Sequence, residues 1–198
     1  MPNVLLSLGS NTSSITLNSV GLLTFGVDEL MQAGQMPLIV SSLYRSPAVG
    51  PGYQPDFYNA AALIKTSLSP LKLLKLIKQI EHAAGRRGAL FWGPRPLDID
   101  IIDYNGQVLN WRRSHGPGGV VAPGAIAGWR PLGRGKVRPL TLPHGEMQRR
   151  VFVLKPVAEI AHKWRHPLFK LDANHLMALC CSPLAIRATE KLEKFWQV

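Results

Sequence analysis

The apolar residues of this chain fall into short runs divided by Gly- and Pro-rich breaks. Val4 to Leu8 is one such run, and it ends in Gly9-Ser10-Asn11, which predicts a buried strand entering a turn. From Thr16 to about Gln32, Leu17, Val20, Leu23, Val27, Leu30 and Met31 recur at near-helical spacing, weakened by Gly21 and Gly26. Leu38 to Tyr44 and Phe57 to Thr66 read as two strands joined by a loop that begins at SPAVGPG. Two strands joined by a loop of roughly ten residues suggest an antiparallel pair with a functional loop between them.

The best-punctuated helix follows. Ser69 is a suitable N-cap, Pro70 sits where its missing N–H costs nothing, and Gly85 supplies the stop. Leu73, Leu76, Ile77, Ile80 and Ala84 form its apolar stripe. Leu97 to Tyr104 predicts a strand, and residues 111–137 a long irregular insertion rich in Gly and Pro. LPHGEMQRR predicts a short helix and Val151 to Val157 a strand, with Asn174 to Trp196 helical but interrupted near Pro183. The order β, α, β, β, α, β indicates an α+β chain of the ferredoxin-like type, an antiparallel sheet with helices on one face. Residues 1–162 are expected to form one domain, with 163–198 a C-terminal helical extension packed on it.

The strand LDIDIIDY carries unusual chemistry. Side chains alternate along a strand, so Leu97, Ile99 and Ile101 face a core while Asp98 and Asp100 share the other face, their Cα atoms about 6 to 7 Å apart. Two carboxylates so close repel, and Asp is a poor strand residue. A hard cation would relieve both costs. Mg²⁺ takes one or two carboxylates plus substrate phosphates, so Asp98 and Asp100 are metal-ligand candidates. Asp103, at an odd offset, is expected on the opposite face and is excluded.

Charge sharpens this. Lys and Arg number 23 against 12 Asp and Glu, a net +11, which favours anionic partners such as phosphates, nucleotides or nucleic acid. Arg86, Arg87, Arg95, Arg149 and Arg150 surround the acids in sequence and suit bidentate phosphate binding. Metal with arginine is the arrangement phosphoryl transfer requires. There is no Walker A loop and no dinucleotide-binding glycine motif behind a strand. With 46% apolar residues the chain can build a core, and its N-terminus carries no signal-like segment. Cys180 and Cys181 are adjacent and cannot staple distant segments. A cytoplasmic protein with no membrane association is expected.

LGSN (8–11), YRSPAVGPGYQPDFYNAA (44–61), IEHAAGR (80–86), WGPRPLDIDII (92–102) and LPHGEMQRRVFVLKPVAEIA (142–161) stand in one order. Together they resemble the 6-hydroxymethyl-7,8-dihydropterin pyrophosphokinases of folate biosynthesis. The resemblance implies a ferredoxin-like fold and transfer of pyrophosphate from ATP to a pterin alcohol, with release of AMP. It makes Asp98 and Asp100 ligands of two Mg²⁺ ions, with Arg95 and Arg87 as catalytic companions. Ser46, Pro47, Val49, Phe57, Asn59, Trp92 and Phe152 match the pterin pocket, and Lys78, Glu81, Arg95, Ile101, Thr141, His144 and Arg150 the ATP side. Phe57 and Asn59, two apart on a strand, share a face, an aromatic platform beside an amide.

Departures are local. Phe91 stands where the family supplies an arginine before the Trp, Lys78 where it often has Gln, and Gly145 where it has an aromatic residue. The 111–137 insertion is longer than the family's connection, and its arginines are candidates to replace the missing one. A weakened enzyme that still binds pterin and metal is the alternative within the family. An RNA-binding module shares the element order, but the chain lacks its run of strand aromatics. Small-molecule partners and a monomer are expected.

Overall fold

The computed structural model describes residues 1–14, 17–48, 54–86, 95–113, 129–131 and 139–196. The Val4–Leu8 run lies inside β1 (Asn3–Ser10), second in a sheet ordered β5 (Asp98–Tyr104), β1, β4 (Phe57–Lys65), β3 (Tyr44–Ser46), β8 (Glu190–Lys191). β2 (Met36–Val40) also pairs with β4, and every pairing is antiparallel. The fold is α+β, as the element order predicts. The strand expected over Leu38–Tyr44 is divided into β2 and β3 by a break at 41–43, and both pieces pair antiparallel with β4.

β1 alternates strictly. Val4, Leu6 and Leu8 enter one core with α1 (Ser19–Gln32) and α2 (Pro70–Ala83). Asn18 caps α1, its side chain accepting the Gly21 N–H at 2.8 Å. Gly26 lets α1 settle on β5: a Cβ there would meet Leu97 Cδ2 at 3.1 Å. Ser69 holds the N-cap position of α2 without a side-chain bond, so Pro70 and the apolar face of Leu73, Ile77 and Ile80 define that helix. Gly85 ends it at φ 95°, in the left-handed region that favours glycine.

The expectation of helices on one face is corrected. Leu5, Ala61 and Ile102 point to the other face, where α3 (Val151–Ile160) and α4 (Ala173–Cys180) bury them with Val153, Leu154, Val157, Phe169 and Leu176. The Val151–Val157 run is therefore a helix, not a strand. β-branched residues and Pro156 disguise it, but packing of Val153, Leu154 and Val157 in one core with Ala61 of β4 overrides propensity.

The insertion is not wholly irregular: β6 (Trp111–Arg113) at its start and β7 (Trp129–Pro131) within it pair antiparallel. Trp111 anchors the base, its indole N–H donating to the Pro143 carbonyl at 2.9 Å. The remaining insertion residues, 114–128 and 132–137, lie outside the described residues. LPHGEMQRR contains a 3₁₀ turn, Met147–Arg149. The C-terminal segment forms α4 and α5 (Pro183–Ala188), but Glu190–Lys191 is the strand β8 and residues 192–196 are neither helix nor strand.

Asp103 also corrects its expectation. Leu6 pairs with Ile101 but Leu5 with Asp103, so a bulge inserts one residue into β5. The odd offset is cancelled, and Asp103 lines a cavity with Leu5, Leu63 and Trp164 on the same sheet face as Asp98 and Asp100. It sits at the far end of that face, away from the other two acids.

Candidate active site

One row of paired residues crosses four strands: Tyr44 opposite Asn59, Asn59 opposite Gly9, Gly9 opposite Asp98. Residues directly paired share a face, and neighbouring strands lie about 4.8 Å apart, so Asn59 and Asp98 stand about 10 Å from each other across Gly9. The next rows add Ser46 opposite Phe57 and Ser7 opposite Asp100. This end of the face is the floor of a cavity of about 300 Å³. Phe152, in the first turn of α3, Arg150 before it, and the loop residues Pro47 and Gln54 complete its lining.

Of the residues expected at a site, Ser46, Pro47, Phe57, Asn59, Arg95, Asp98, Asp100, Arg150 and Phe152 converge on the cavity. Val49, Arg87 and Trp92 lie outside the described residues. Gly9 has a steric reason to be glycine, since a Cβ there would come within 3.3 Å of Asn59 Oδ1 and 3.8 Å of the Phe57 ring. Asn59 is buried, its amide donating to Ser46 Oγ at 3.1 Å.

The acids differ in their surroundings. Asp98 pairs with Arg86 at 2.7 Å and with Arg95. Burial pushes its carboxyl pKa up, but Arg95 and Arg86 outweigh burial and hold it below the ordinary carboxylate range. Arg86 is held above its usual value: burial opposes this, and Asp98 with Glu81 overcomes it. Asp100 is looser, with Arg150 at 3.7 Å and His144 at 3.8 Å. His144 Nδ1 accepts the Glu146 N–H, so its Nε2–H faces Asp100. Burial lowers the His144 pKa, with Asp100 pulling the other way.

The remaining expected residues are near the cavity but do not line it. Glu81 is buried, accepting from the Ile99 N–H at 2.9 Å, from Lys78 at 2.8 Å and from Arg86 at 2.7 Å. It supports Arg86 and the edge of β5 from beneath. Ile101 packs into the α1–α2 core, on the face opposite the carboxylates. Thr141 donates to the Pro139 carbonyl.

Sequence reasoning missed Ser7, Gly9, Gln54 and Glu146 in the lining and Asn11 behind it, whereas Arg149 in the lining and Arg86 beside Asp98 are among the arginines expected around the acids. Ser7 and Gly9 carried a signal: they are the small positions that break an otherwise apolar β1, on the face opposite Leu6 and Leu8. Asn11 binds both sides of the mouth. Its carboxamide accepts the Arg95 N–H at 2.8 Å and donates to Gln54 Oε1 at 3.1 Å.

Two hard-oxygen carboxylates on one floor, among guanidiniums, suit a divalent cation that draws its other ligands from phosphate and water. Among the described residues no group of three or more His, Cys, Asp or Glu side chains gathers. No helix among the described residues is long and apolar enough to cross a membrane.

The chain resembles known proteins over most of its length. A 2-amino-4-hydroxy-6-hydroxymethyldihydropteridine pyrophosphokinase of Haemophilus influenzae is 34% identical over 79% of this chain and 79% of its own. One of Methylorubrum extorquens is 33% identical over 88% of this chain and 96% of its own. Plasmodium falciparum HPPK-DHPS shares the fold, with a TM-score of 0.63 at 13% identity over 96% of this chain, which spans only 47% of that one. The model of the 7,8-dihydro-6-hydroxymethylpterin-pyrophosphokinase (HPPK) family matches residues 5–162, and the chain belongs to that family.

Proposed function

We propose that this chain transfers a pyrophosphoryl group from ATP to the hydroxymethyl oxygen of 6-hydroxymethyl-7,8-dihydropterin, in folate biosynthesis. The row Asn59–Gly9–Asp98 carries this reading: it sets a place for a flat polar ring beside paired carboxylates on one floor. Phe57 and Phe152 would sandwich the ring, Asn59 and Ser46 would read its polar edge, and Pro47, Val49 and Trp92 would contribute to the same pocket. Gly9 leaves the floor open for the hydroxymethyl arm to reach the acids.

Arg95, Arg86, Arg87 and Arg150 would take phosphate oxygens in forked contacts, Arg86 and Arg95 exchanging Asp98 for them when ATP arrives. His144 would donate from Nε2. Lys78, Thr141 and the main chain of Ile101 would serve the nucleotide side, and Glu81 would act there through Arg86, which it holds. Asp98 and Asp100 would hold two Mg²⁺ ions, which supply charge neutralisation on the phosphates and favour loss of the hydroxymethyl proton. The hydroxymethyl oxygen bonds to the β-phosphorus. The bond from that phosphorus to the α,β-bridging oxygen breaks, its electrons leave on AMP, and the alcohol proton is released. We read the enzyme as a cytoplasmic monomer acting on these small molecules.

The test is incubation with ATP, Mg²⁺ and hydroxymethyl-dihydropterin, reading nucleotide products. AMP formed only with the pterin supports the proposal. ADP would mean a different phosphoryl transfer, and absence of any pterin-dependent product would refute it.

A further inference from the structure

We infer that Glu159 is a positioning residue for the pterin slot, holding its two walls at a fixed separation; this rests on the proposed function. Those walls come from different elements. Phe152 stands at the start of α3, whereas Ser46 and the bonds to Asn59 belong to β3. β3 is only three residues long and lies beyond β4 in the sheet.

Glu159, seven residues after Phe152 and so two turns along α3, makes that connection. Its carboxylate accepts the Ser42 N–H at 3.2 Å, the Ser42 hydroxyl at 2.9 Å and the Tyr44 hydroxyl at 2.9 Å. Tyr44 then passes the position on: it pairs directly with Asn59, and its carbonyl accepts the Asn59 amide at 3.4 Å. Burial pushes the Glu159 pKa up, but the Ser42 and Tyr44 donors hold it below the ordinary range, so the acceptor is charged. Burial first, then Glu159, raises the Tyr44 pKa, so its phenol stays a donor.

The C-terminal segment, beyond the residues matched by the family model, closes the same joint from outside. β8 pairs with β3, placing Lys191 opposite Tyr44, and Lys191 Nζ reaches Glu159 at 3.4 Å. Lys155, one turn after Phe152, donates to the Ile186 and Thr189 carbonyls at 2.6 and 2.5 Å. α3 is thus fastened to β3 directly by Glu159, and by Lys155 to α5 and to Thr189, the residue before β8. Neither side chain lines the cavity.

The experiment compares full-length wild type with Glu159→Ala, Glu159→Gln and Tyr44→Phe, the last removing one oxygen and leaving the ring. KM for the pterin and for ATP, kcat, thermal midpoint, and equilibrium binding of the pterin by its fluorescence are read for each. Glu159→Ala should raise the pterin KM about tenfold, as expected for loss of hydrogen bonds to a charged group, with the ATP KM within about twofold. Glu159→Gln and Tyr44→Phe should fall between wild type and Glu159→Ala. A lowered midpoint with unchanged pterin KM, or equal rises in both KM values, would make the role purely structural and overturn the inference. If wild type itself binds no pterin, the proposed function fails and the inference falls with it.

Discussion

Asn11 and Arg95 are joined twice: the Arg95 N–H donates to the Asn11 carboxamide at 2.8 Å, and the Asn11 N–H donates to the Arg95 carbonyl at 3.2 Å. Asn11 is buried and also donates to Gln54, so the turn after β1 ties together the loop before β4 and the approach to β5. Asn11→Ala leaves the Arg95 N–H without its carboxamide acceptor, a loss of about 1–3 kcal/mol if no water replaces it. Amide exchange at Arg95 should accelerate and turnover fall, because Arg95 no longer meets phosphate in a fixed position. Asn11→Asp keeps the acceptor and loses the donor to Gln54, so it should protect the Arg95 amide while weakening the pterin side.

Gly9 separates steric from electrostatic contributions to the site. Its missing Cβ would stand 3.3 Å from Asn59 Oδ1, tighter than an ordinary contact. Gly9→Val places branched carbons on the floor between Asn59 and Asp98. Pterin affinity should fall by about tenfold or more, and ATP affinity should hold. Separate titrations of the two substrates check this; equal losses would place the substrates elsewhere.

Much of this site is legible in LDIDIIDY because alternation is a local rule that the sheet preserves from Asp98 to Ile102. It fails at Asp103, where a bulge set by pairing with Leu5 reverses the offset, and no residue type marks that bulge. Leu73, Ile77 and Ile80 announced α2, since an amphipathic helix between cap and stop carries its own punctuation. α3 hid itself, because Val151, Val153 and Pro156 are poor helix residues and only the face of β4 makes them one. Arg86 and Asn11 were quoted in the family motifs, but their bonds to Asp98 and Arg95 depend on a meeting of distant segments that spacing does not display.

Asp98 and Asp100 should both be needed for turnover, yet they should differ in stability. Asp98 neutralises Arg86 and Arg95, so Asp98→Ala leaves Arg86 with Glu81 alone and takes from Arg95 the carboxylate it pairs with. Solvent reaches both, so the cost should be about 1–2 kcal/mol rather than that of a fully buried pair. Asp100, with partners at 3.7 and 3.8 Å, should cost less than about 0.5 kcal/mol on replacement by Ala. Denaturant titration of the two variants gives the stabilities and single-turnover AMP formation the activities. Near-normal turnover in either would remove that residue from the proposed metal site.

His166 gives the fold an acid-sensitive point far from the carboxylates. It is fully buried, stacked on Phe169 at a centroid distance of 4.0 Å and edge-on to Trp111 and Trp164. Its Nδ1 accepts the Leu168 and Phe169 N–H groups, both at 3.3 Å. Burial first, then Lys170, pushes its pKa down to about 3. In the unfolded chain a histidine titrates near pH 6.5, so the unfolded state takes up a proton that the folded state refuses. The neutral ring's contribution is therefore complete above about pH 6.5 and is lost as pH falls towards 3, at up to about 1.4 kcal/mol per pH unit. His166→Asn keeps a side-chain acceptor for the turn and removes the titration. Its unfolding free energy relative to wild type should improve steadily between pH 6.5 and 4, whatever its offset at pH 7. Parallel stability curves over that interval would show that His166 takes no part in acid unfolding.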